Sequence, residues 1–255
     1  SRAGQETHWL DRANVARGYG LDAPAALLTH VAARMDPYRL THRLLQRLRR
    51  RGGNVFGRTR LEPVRAGPRR VVLESGEGAR VVADHVVVAA GYESQRWIDQ
   101  RLARNRSSYA CISEPVELGA LARTMVWESA RPYLYLRSTG DSRLLVGGED
   151  DAVDIPRRRD ARVEKKADRL LARVADLFPH LSVKPAFAWA GTFAETKDGL
   201  PFFGPHPQWG PRVLFAMAYG GNGIVYSMLG AGLLRARLER RAHPLRALFG
   251  FERLR

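Results

Sequence analysis

A short apolar run that leads through a glycine-rich turn into an apolar helix is the feature that most constrains the fold of this chain. Residues 213–218 form a continuous apolar run of strand length, and Gly220, Gly221 and Gly223 follow it. Apolar residues then recur at helical spacing, at Ile224, Met228, Leu229 and Ala231. The helix N-terminus presents unpaired N–H groups and the glycines admit a ligand to the backbone, so the turn is a candidate anion site. A strand-to-helix connection without a ligand has the same pattern, and both interpretations stay open here.

Composition indicates a globular protein of one or two domains. The chain has 255 residues, 45% of them hydrophobic and 9% aromatic. No apolar run reaches the roughly 18 residues that span a bilayer, so we expect a cytoplasmic protein without an integral membrane segment. The single Cys111 excludes an internal disulfide and a cysteine-cluster metal site, and no metal is expected. The sequence carries no signal for oligomeric state.

The formal charge of +16 is typical of proteins that bind nucleic acid, so nucleic acid has to be considered as a partner. Lysine occurs at only four positions, so 42 − 4 = 38 of the positive charges come from arginine. The densest clusters, residues 47–51 and 157–159, lie on or beside predicted helices, where solvated faces account for them better than a nucleic-acid footprint does. No nucleic-acid-binding motif accompanies them, and no nucleic-acid partner is expected.

The first hundred residues predict helices and a strand-rich segment. A helix is expected from Trp9 to Arg17, and a second begins at Asp36-Pro37, with aspartate as N-cap. Its predicted buried stripe is Leu40, Leu44, Leu45 and Leu48. A strand at 54–59 and a hairpin around 75–78 follow. The run 85–91 is apolar on both faces, which predicts a strand in the middle of a parallel sheet whose small C-terminal residues leave room for a ligand.

The middle of the chain predicts an antiparallel sheet. Residues 109–115, 132–137 and 143–149 alternate apolar and polar side chains, as a sheet with one covered face requires. A charged helix is expected from Arg159 to Leu177, and 187–192 returns as a strand.

The order of these elements, the Val86-Val-Val-Ala-Ala-Gly91 strand and the segment from Thr196 to the last helix resemble the D-amino-acid oxidase and glycine oxidase superfamily of FAD-dependent oxidoreductases. The resemblance implies an α/β (α+β) fold, with an incomplete Rossmann-like parallel sheet that binds FAD and an antiparallel-sheet substrate domain. The FAD-binding domain would comprise residues 36–95 and 186–255, and the substrate domain residues 1–35 and 96–185.

The resemblance also implies which residues contact FAD. Ala89, Ala90 and Gly91 would lie near the cofactor phosphates, and Leu61 near the adenine. Asp198, Gly199 and the backbone of the glycine-rich turn would approach the flavin ring and ribityl chain; the turn residues are Gly220, Gly221, Asn222, Gly223 and Ile224.

One departure from the family is large. Its members begin with a strand, a G-x-G-x-x-G turn and a helix, and the 255 residues contain no turn of that spacing. We therefore expect a fragment or an N-terminally truncated form, whose parallel sheet leaves Val86 to Val88 open at one edge.

The absence of two arginines narrows the class of substrate that we expect. Amino-acid-oxidising relatives hold the substrate carboxylate with arginines at positions that match Phe193 and Gly221. The resemblance then favours a small-molecule amine or N-substituted amino acid, as in the gamma-glutamylputrescine oxidase-like branch. Its oxidation would pass a hydride to flavin N5, with hydrolysis of the imine. Tyr133, Tyr135 and Arg137 are the candidate substrate contacts, although a structural role in the sheet is as compatible with their positions. A cofactor-free remnant with a structural or partner-binding role is the alternative.

Overall fold

The computed structural model describes Gly4 and residues 6–254. Its strands are β1 (Thr7–Asp11), β2 (Ala25–Thr29), β3 (Leu61–Ala66), β4 (Val71–Ser75), β5 (Arg80–Ala83), β6 (Val86–Val88), β7 (Ala103–Ser113), β8 (Met125–Trp127), β9 (Leu134–Ser138), β10 (Leu144–Asp151), β11 (Pro185–Thr196), β12 (Phe202–Pro205) and β13 (Val213–Met217). Its helices are α1 (Arg12–Tyr19), α2 (Pro37–Arg50), α3 (Pro156–Asp160), α4 (Val163–Leu177), α5 (Gly223–Leu238) and α6 (Arg246–Phe249). This mixture of helices and sheets confirms the α/β (α+β) class.

The chain divides into two compact units. The first comprises Ser1–Met35 and Arg106–Thr192, and the second comprises Asp36–Asn105 and Phe193–Arg255. The sequence prediction placed the two later breaks after residues 95 and 185, whereas the structure divides the chain within β7 and within β11. The cofactor and substrate roles given to the two segments stay predictions.

The first unit is built on a five-stranded sheet with the order β11-β7-β10-β9-β8. β10 pairs antiparallel with both β7 and β9, and β8 pairs antiparallel with β9. Alternate residues of β9 and β10, such as Leu134, Leu136 and Val146, are buried in one core with Leu170 and Val174 of α4. The predicted antiparallel sheet with one covered face is therefore confirmed.

Ion pairs join the end of β10 to α4. Glu149 is buried, and Lys166 Nζ lies 3.2 Å from its Oε2 and donates to its backbone oxygen at 2.6 Å. Tyr109 donates its hydroxyl to Asp151 at 3.1 Å, and burial together with this carboxylate raises the pKa of Tyr109 to about 12. The carboxylates on this face of the sheet are thus occupied by α4 and by the core.

The second unit contains two three-stranded sheets. One has the order β12-β13-β6, in which β12 and β13 are antiparallel while β13 and β6 are parallel. β13 is buried along its whole length because it lies between its two neighbours. The other sheet is the meander β3-β4-β5, whose β4–β5 hairpin turns at 75–78 as predicted.

β6 lies at the edge of its sheet and not in the middle. Its neighbour within the part of the chain that the structure describes is β13, and the side chain of Val87 is 42% exposed. Val88 is buried, so the strand is apolar on both faces but covered on one. Among the described residues no strand pairs with the other side of β6, so the edge at Val86 to Val88 is open.

Two local predictions were wrong. Residues 54–59 are not a strand: the extended segment begins at Leu61, where it pairs with Ser75. Trp9 lies in β1, and the first helix starts only after Asp11, whose side chain accepts a hydrogen bond from Asn14 N. The polar N-cap, rather than the preceding apolar residues, sets that boundary.

The start of α2 was predicted correctly and its burial was not. Asp36 caps the helix by accepting from Arg39 N at 3.0 Å. Leu44, Leu45 and Leu48 are all exposed, and α2 contains no buried residue. The predicted helix 159–177 is interrupted after Asp160 and resumes at Val163.

No helix among residues 6–254 is long and apolar enough to cross a membrane.

Candidate functional site

The pairing of β6 with β13 brings two of the predicted cofactor segments to one edge of a sheet. Val86 lies opposite Val213 and Val88 opposite Phe215, in parallel register. Parallel strands end at the same edge, so residues 89–91 and the turn 218–223 leave the sheet side by side. The structure therefore brings together Ala89–Gly91 and Gly220–Ile224, which are far apart in the sequence.

The Asp198–Gly199 turn reaches the same edge through β12. Phe202, at the start of β12, pairs with Met217 at the end of β13, so residues 198–201 precede β12 at this edge. The glycine-rich turn is also tied to the end of β11, because Gly220 N donates to the Ala194 oxygen at 2.9 Å.

The carboxylate of Asp198 is already used within the protein. Thr196 Oγ1 and Leu200 N donate to Oδ1 at 2.9 and 3.1 Å, and Arg253 Nε donates to Oδ2 at 2.9 Å. Burial alone would raise the pKa of Asp198, but the bonds from Arg253, Leu200 and Thr196 outweigh it and lower that pKa. What this turn offers a ligand is its backbone at Gly199, which has a positive φ of 72°.

The N-terminus of α5 is uncapped. Asn222 is the N-cap residue, but its side chain makes no capping hydrogen bond. The first helical bond runs from Tyr226 N to the Asn222 oxygen, and the described residues provide no partner for the N–H groups of Gly223, Ile224 and Val225. A Cβ added at Gly220 would meet no atom within 4 Å. The turn thus presents free donors with no side chain in front of Gly220, as an anion site requires.

The segment after β6 is held in a defined turn. Ser94 is fully buried, and its Oγ accepts a hydrogen bond from Ala90 N at 3.1 Å. Ala89 and Ala90 are exposed, and Gly91 has a φ of 57°. Leu61 is the exception among the predicted cofactor residues: it begins β3 in the separate meander and packs, half-buried, against the core of the second unit.

In the first unit, the three predicted substrate residues share the face of the sheet opposite α4. Tyr133 and Tyr135 are stacked, with ring centroids 6.0 Å apart. Tyr135 lies flat across β10, because a Cβ at Gly147 would sit only 2.3 Å from its ring. Arg137 follows on the same face, and its Nη1 donates to the Ser138 oxygen at 3.2 Å. The structure thus brings Tyr133 and Tyr135 together and leaves Arg137 further along the strand.

A residue on this face that the sequence reasoning missed is Asp150. Its Oδ1 is buried and has no hydrogen-bond partner among the described residues. Burial raises the pKa of Tyr133, and the hydrogen bond and negative charge of Asp150 raise it further. Burial is also the main cause of the raised pKa of Tyr135, which hydrogen-bonds Ser108. Both phenols are therefore neutral at physiological pH, beside a carboxylate oxygen that lacks a donor.

A family model named "DAO: FAD dependent oxidoreductase" matches residues 1–237. The chain belongs to this family. Among curated members, the glycine oxidase of Geobacillus kaustophilus is 33% identical over 196 residues, which are 74% of this chain and 49% of the relative. The glycine oxidase of Bacillus subtilis is 28% identical over 199 residues, 75% of this chain and 50% of the relative. This DAO family member spans about half the length of the curated relatives it matches.

Two solved structures share the fold of this chain. The crystal structure of glycine oxidase from Geobacillus kaustophilus matches 98% of this chain and 67% of its own, with a TM-score of 0.85 and 22% identity. The L-proline dehydrogenase from P. horikoshii matches 96% of this chain and 67% of its own, with a TM-score of 0.79 and 15% identity.

Proposed function

We propose that the second unit binds the flavin part of FAD at the edge formed by β6 and β13, and that the protein oxidises an amine or an N-substituted amino acid. The observation that carries this proposal is the parallel pairing of these strands, which assembles Ala89–Gly91 and Gly220–Ile224 at one edge. Membership of a family of FAD-dependent oxidoreductases supports the cofactor. The uncapped N-terminus of α5 supports the place at which it binds.

The residues at this edge fit a bound anion. The partial positive charge of the α5 N-terminus favours negative charge in front of it, and the free N–H groups of Gly223 and Ile224 can donate to that charge. Small residues at Ala89 and Ala90 leave the neighbouring backbone accessible. When bound, FAD would supply the redox chemistry by taking a hydride from the carbon beside the amine nitrogen, after which water hydrolyses the imine.

An amine-bearing substrate is favoured by the polar face of the first unit. The unpartnered Oδ1 of Asp150 can accept a hydrogen bond from an amine N–H, which would satisfy a buried acceptor. The rings of Tyr133 and Tyr135 can flank a cationic or apolar group, and Arg137 can pair with a remote carboxylate. Phe193 and Gly221 carry no charge to hold an amino-acid carboxylate. Relatives whose names state their substrates act on glycine or L-proline, which also contain an oxidisable C–N bond.

Gly223→Asp tests the cofactor site. Its Cβ would lie 4.0 Å from Tyr219, an ordinary contact, so the side chain fits. An aspartate in the first turn complements the helix dipole and stabilises the protein without ligand, while it repels an anion at the same N–H groups. We expect FAD to raise the melting temperature of the wild type, and we expect the variant to bind FAD at least about tenfold more weakly.

Gly76→Asp is the matched control, because Gly76 lies in the β4–β5 turn of the same unit with no atom within 4 Å of a Cβ. The control should bind FAD like the wild type. Equal FAD affinity in Gly223→Asp and the wild type would contradict the proposed site. No FAD-dependent rise in melting temperature of the wild type would favour the cofactor-free remnant instead. The cytoplasmic location and the lack of a nucleic-acid partner stay predictions of the sequence.

A further inference from the structure

A cavity of about 640 Å³ lies within the second unit, and arginine dominates its lining. Five arginines are among its lining residues, and Glu252 is the one acidic residue there; the arginines are Arg212, Arg237, Arg240, Arg241 and Arg246. The volume is within the range of about 300–1,000 Å³ that is typical of small-molecule sites. Such an excess of like charge around one concavity is unfavourable unless an anion occupies it.

The arginines differ in how they are engaged. Arg212 donates to the backbone oxygens of Pro68 and Asp84 at 2.7 and 3.0 Å, which fixes its position without neutralising its charge. Arg241 Nε donates to Glu239 at 2.7 Å, and Arg246 lies 3.8 Å from Glu252. Two of the five, Arg237 and Arg240, have no side-chain partner among the described residues. These two guanidinium groups are therefore available to a ligand.

This cavity is separate from the proposed cofactor edge. Its lining includes four residues at the C-terminal end of α5 and three that follow the helix, whereas the cofactor edge is at the N-terminus of that helix. The 16 residues of α5 span about 24 Å at 1.5 Å per residue. Arg212 likewise precedes β13, at the opposite end of that strand from the glycine-rich turn.

Compensation of the helix dipole explains only part of the cluster. Basic side chains near a helix C-terminus are favourable, which accounts for Arg237 and for Arg241 in its pair with Glu239. It does not account for Arg212, which immediately precedes β13, or for Arg246, which begins α6. Arginines from three segments converge on one cavity, and guanidinium forks suit phosphate and carboxylate oxygens.

We propose that this cavity is a second binding site that takes a compact small-molecule polyanion bearing phosphate groups, held by Arg237 and Arg240 and positioned by Arg212. A small molecule is favoured over a nucleic-acid strand because the charges surround a concavity, whereas a strand needs an extended basic track. The apolar surface of Leu233 and Leu238 in the same lining provides contact for a nonpolar part of the ligand.

Binding of inorganic tripolyphosphate, measured by calorimetry and by melting temperature, tests the proposal. Arg237→Gln combined with Arg240→Gln breaks no ion pair. The favourable contact of Arg237 with the helix dipole is lost and repulsion among the arginines is relieved, so the two effects oppose each other and the melting temperature without ligand should change little. We expect it to bind tripolyphosphate at least about tenfold more weakly than the wild type. Arg49→Gln with Arg50→Gln is the control, because it removes the same charge from the exposed face of α2 in the same unit and should leave affinity unchanged.

Equal losses in the two double variants would overturn the proposal, since they would show a diffuse charge effect. So would the failure of wild-type protein to bind tripolyphosphate at about 50 mM salt, where surface charges are weakly screened. Tighter binding of a short single-stranded oligonucleotide, lost equally in both variants, would instead indicate a nucleic-acid surface. Gly223→Asp should leave tripolyphosphate binding intact, and the arginine pair should leave FAD binding intact, so the two sites can fail independently.

Discussion

Asp150 shows how adjacent acidic residues acquire different roles from strand geometry. Glu149, Asp150 and Asp151 read together as an acidic run. In the structure Glu149 and Asp151 face α4 and pair with Lys166. Asp150 lies on the opposite face of the sheet, the tyrosine face, which carries Tyr133 and Tyr135. Alternation along β10 puts Val146 on the covered face and Gly147 on the tyrosine face, so its continuation would place Asp150 with α4 and its two neighbours with the tyrosines. The β-bulge between Gly148 and Asp151, where Glu149 has a φ of 53°, reverses this order. The missing hydrogen-bond partner of its Oδ1 is likewise visible only in three dimensions.

At the scale of this residue, we predict that Asp150→Asn weakens amine binding. The substitution keeps the shape of the side chain but removes the charge that would attract a protonated amine. With putrescine as the probe, the dissociation constant should rise at least about tenfold. The pKa of Tyr133 should fall in the same variant, because the charge of Asp150 contributes to raising it, and a spectrophotometric titration of tyrosinate measures that fall.

Asp154→Asn is the control for both measurements, since Asp154 is exposed in the loop that follows β10 in the same unit. It should change neither putrescine binding nor the titration. A fall in the tyrosine pKa without any change in putrescine binding would assign Asp150 a structural role in the sheet.

At the scale of the element, helical spacing after the glycine-rich turn predicts α5 but not the face that it buries. Ile224 and Met228, which carry the helical spacing, are 45% and 65% exposed, while Gly230, Leu233, Leu234 and Ala236 are buried. The helix is apolar on several sides, and a pattern of that kind does not reveal which side packs against the sheet. In the structure the helix packs on the side that carries Gly230, because the ring of Phe203 occupies the space that a side chain at Gly230 would fill.

Gly230→Ala should therefore destabilise the protein despite the better helix propensity of alanine. A Cβ at this position would lie 2.1 Å from the buried ring of Phe203. Overpacking costs about 1–3 kcal/mol, which exceeds the roughly 1 kcal/mol that replacing a helical glycine by alanine contributes. The expected net loss in the free energy of unfolding is about 1 kcal/mol, measured by urea denaturation.

Gly232→Ala is the matched substitution two residues along the same helix. Its Cβ would lie 4.0 Å from the nearest atom, His243 Nε2, which is an ordinary contact. The propensity gain should then appear alone, as a stabilisation of up to about 1 kcal/mol. If both alanines stabilise the protein, Phe203 does not pack against Gly230 in solution.

At the scale of the whole molecule, the alternation of strand residues and the helix caps could be predicted from the sequence. Which elements pack against one another could not. The strands of the antiparallel sheet, the hairpin at 75–78, the capped start of α2 and the strand before the glycine-rich turn all follow from nearest-neighbour chemistry. The exposure of Leu44, which was expected to be buried, depends on which element packs beside it. The same limit applies to the candidate site: the glycines were found from spacing, but the pairing of β6 with β13 that unites them is a long-range contact.

The molecule combines a large positive charge with exposed apolar residues at a sheet edge, and we predict that salt controls its association. A net charge of +16 keeps copies apart at low ionic strength, whereas salt screens that repulsion and lets open strand edges pair. Val87 lies on the edge strand β6 and is 42% exposed.

Val87→Lys places a charge on that edge and should move the onset of light scattering to about twofold higher NaCl concentration. Val55→Lys adds the same charge in a loop, at a residue 41% exposed, and should leave the onset unchanged. Equal shifts in the two variants would mean that net charge alone governs association and that the edge of β6 takes no part in it.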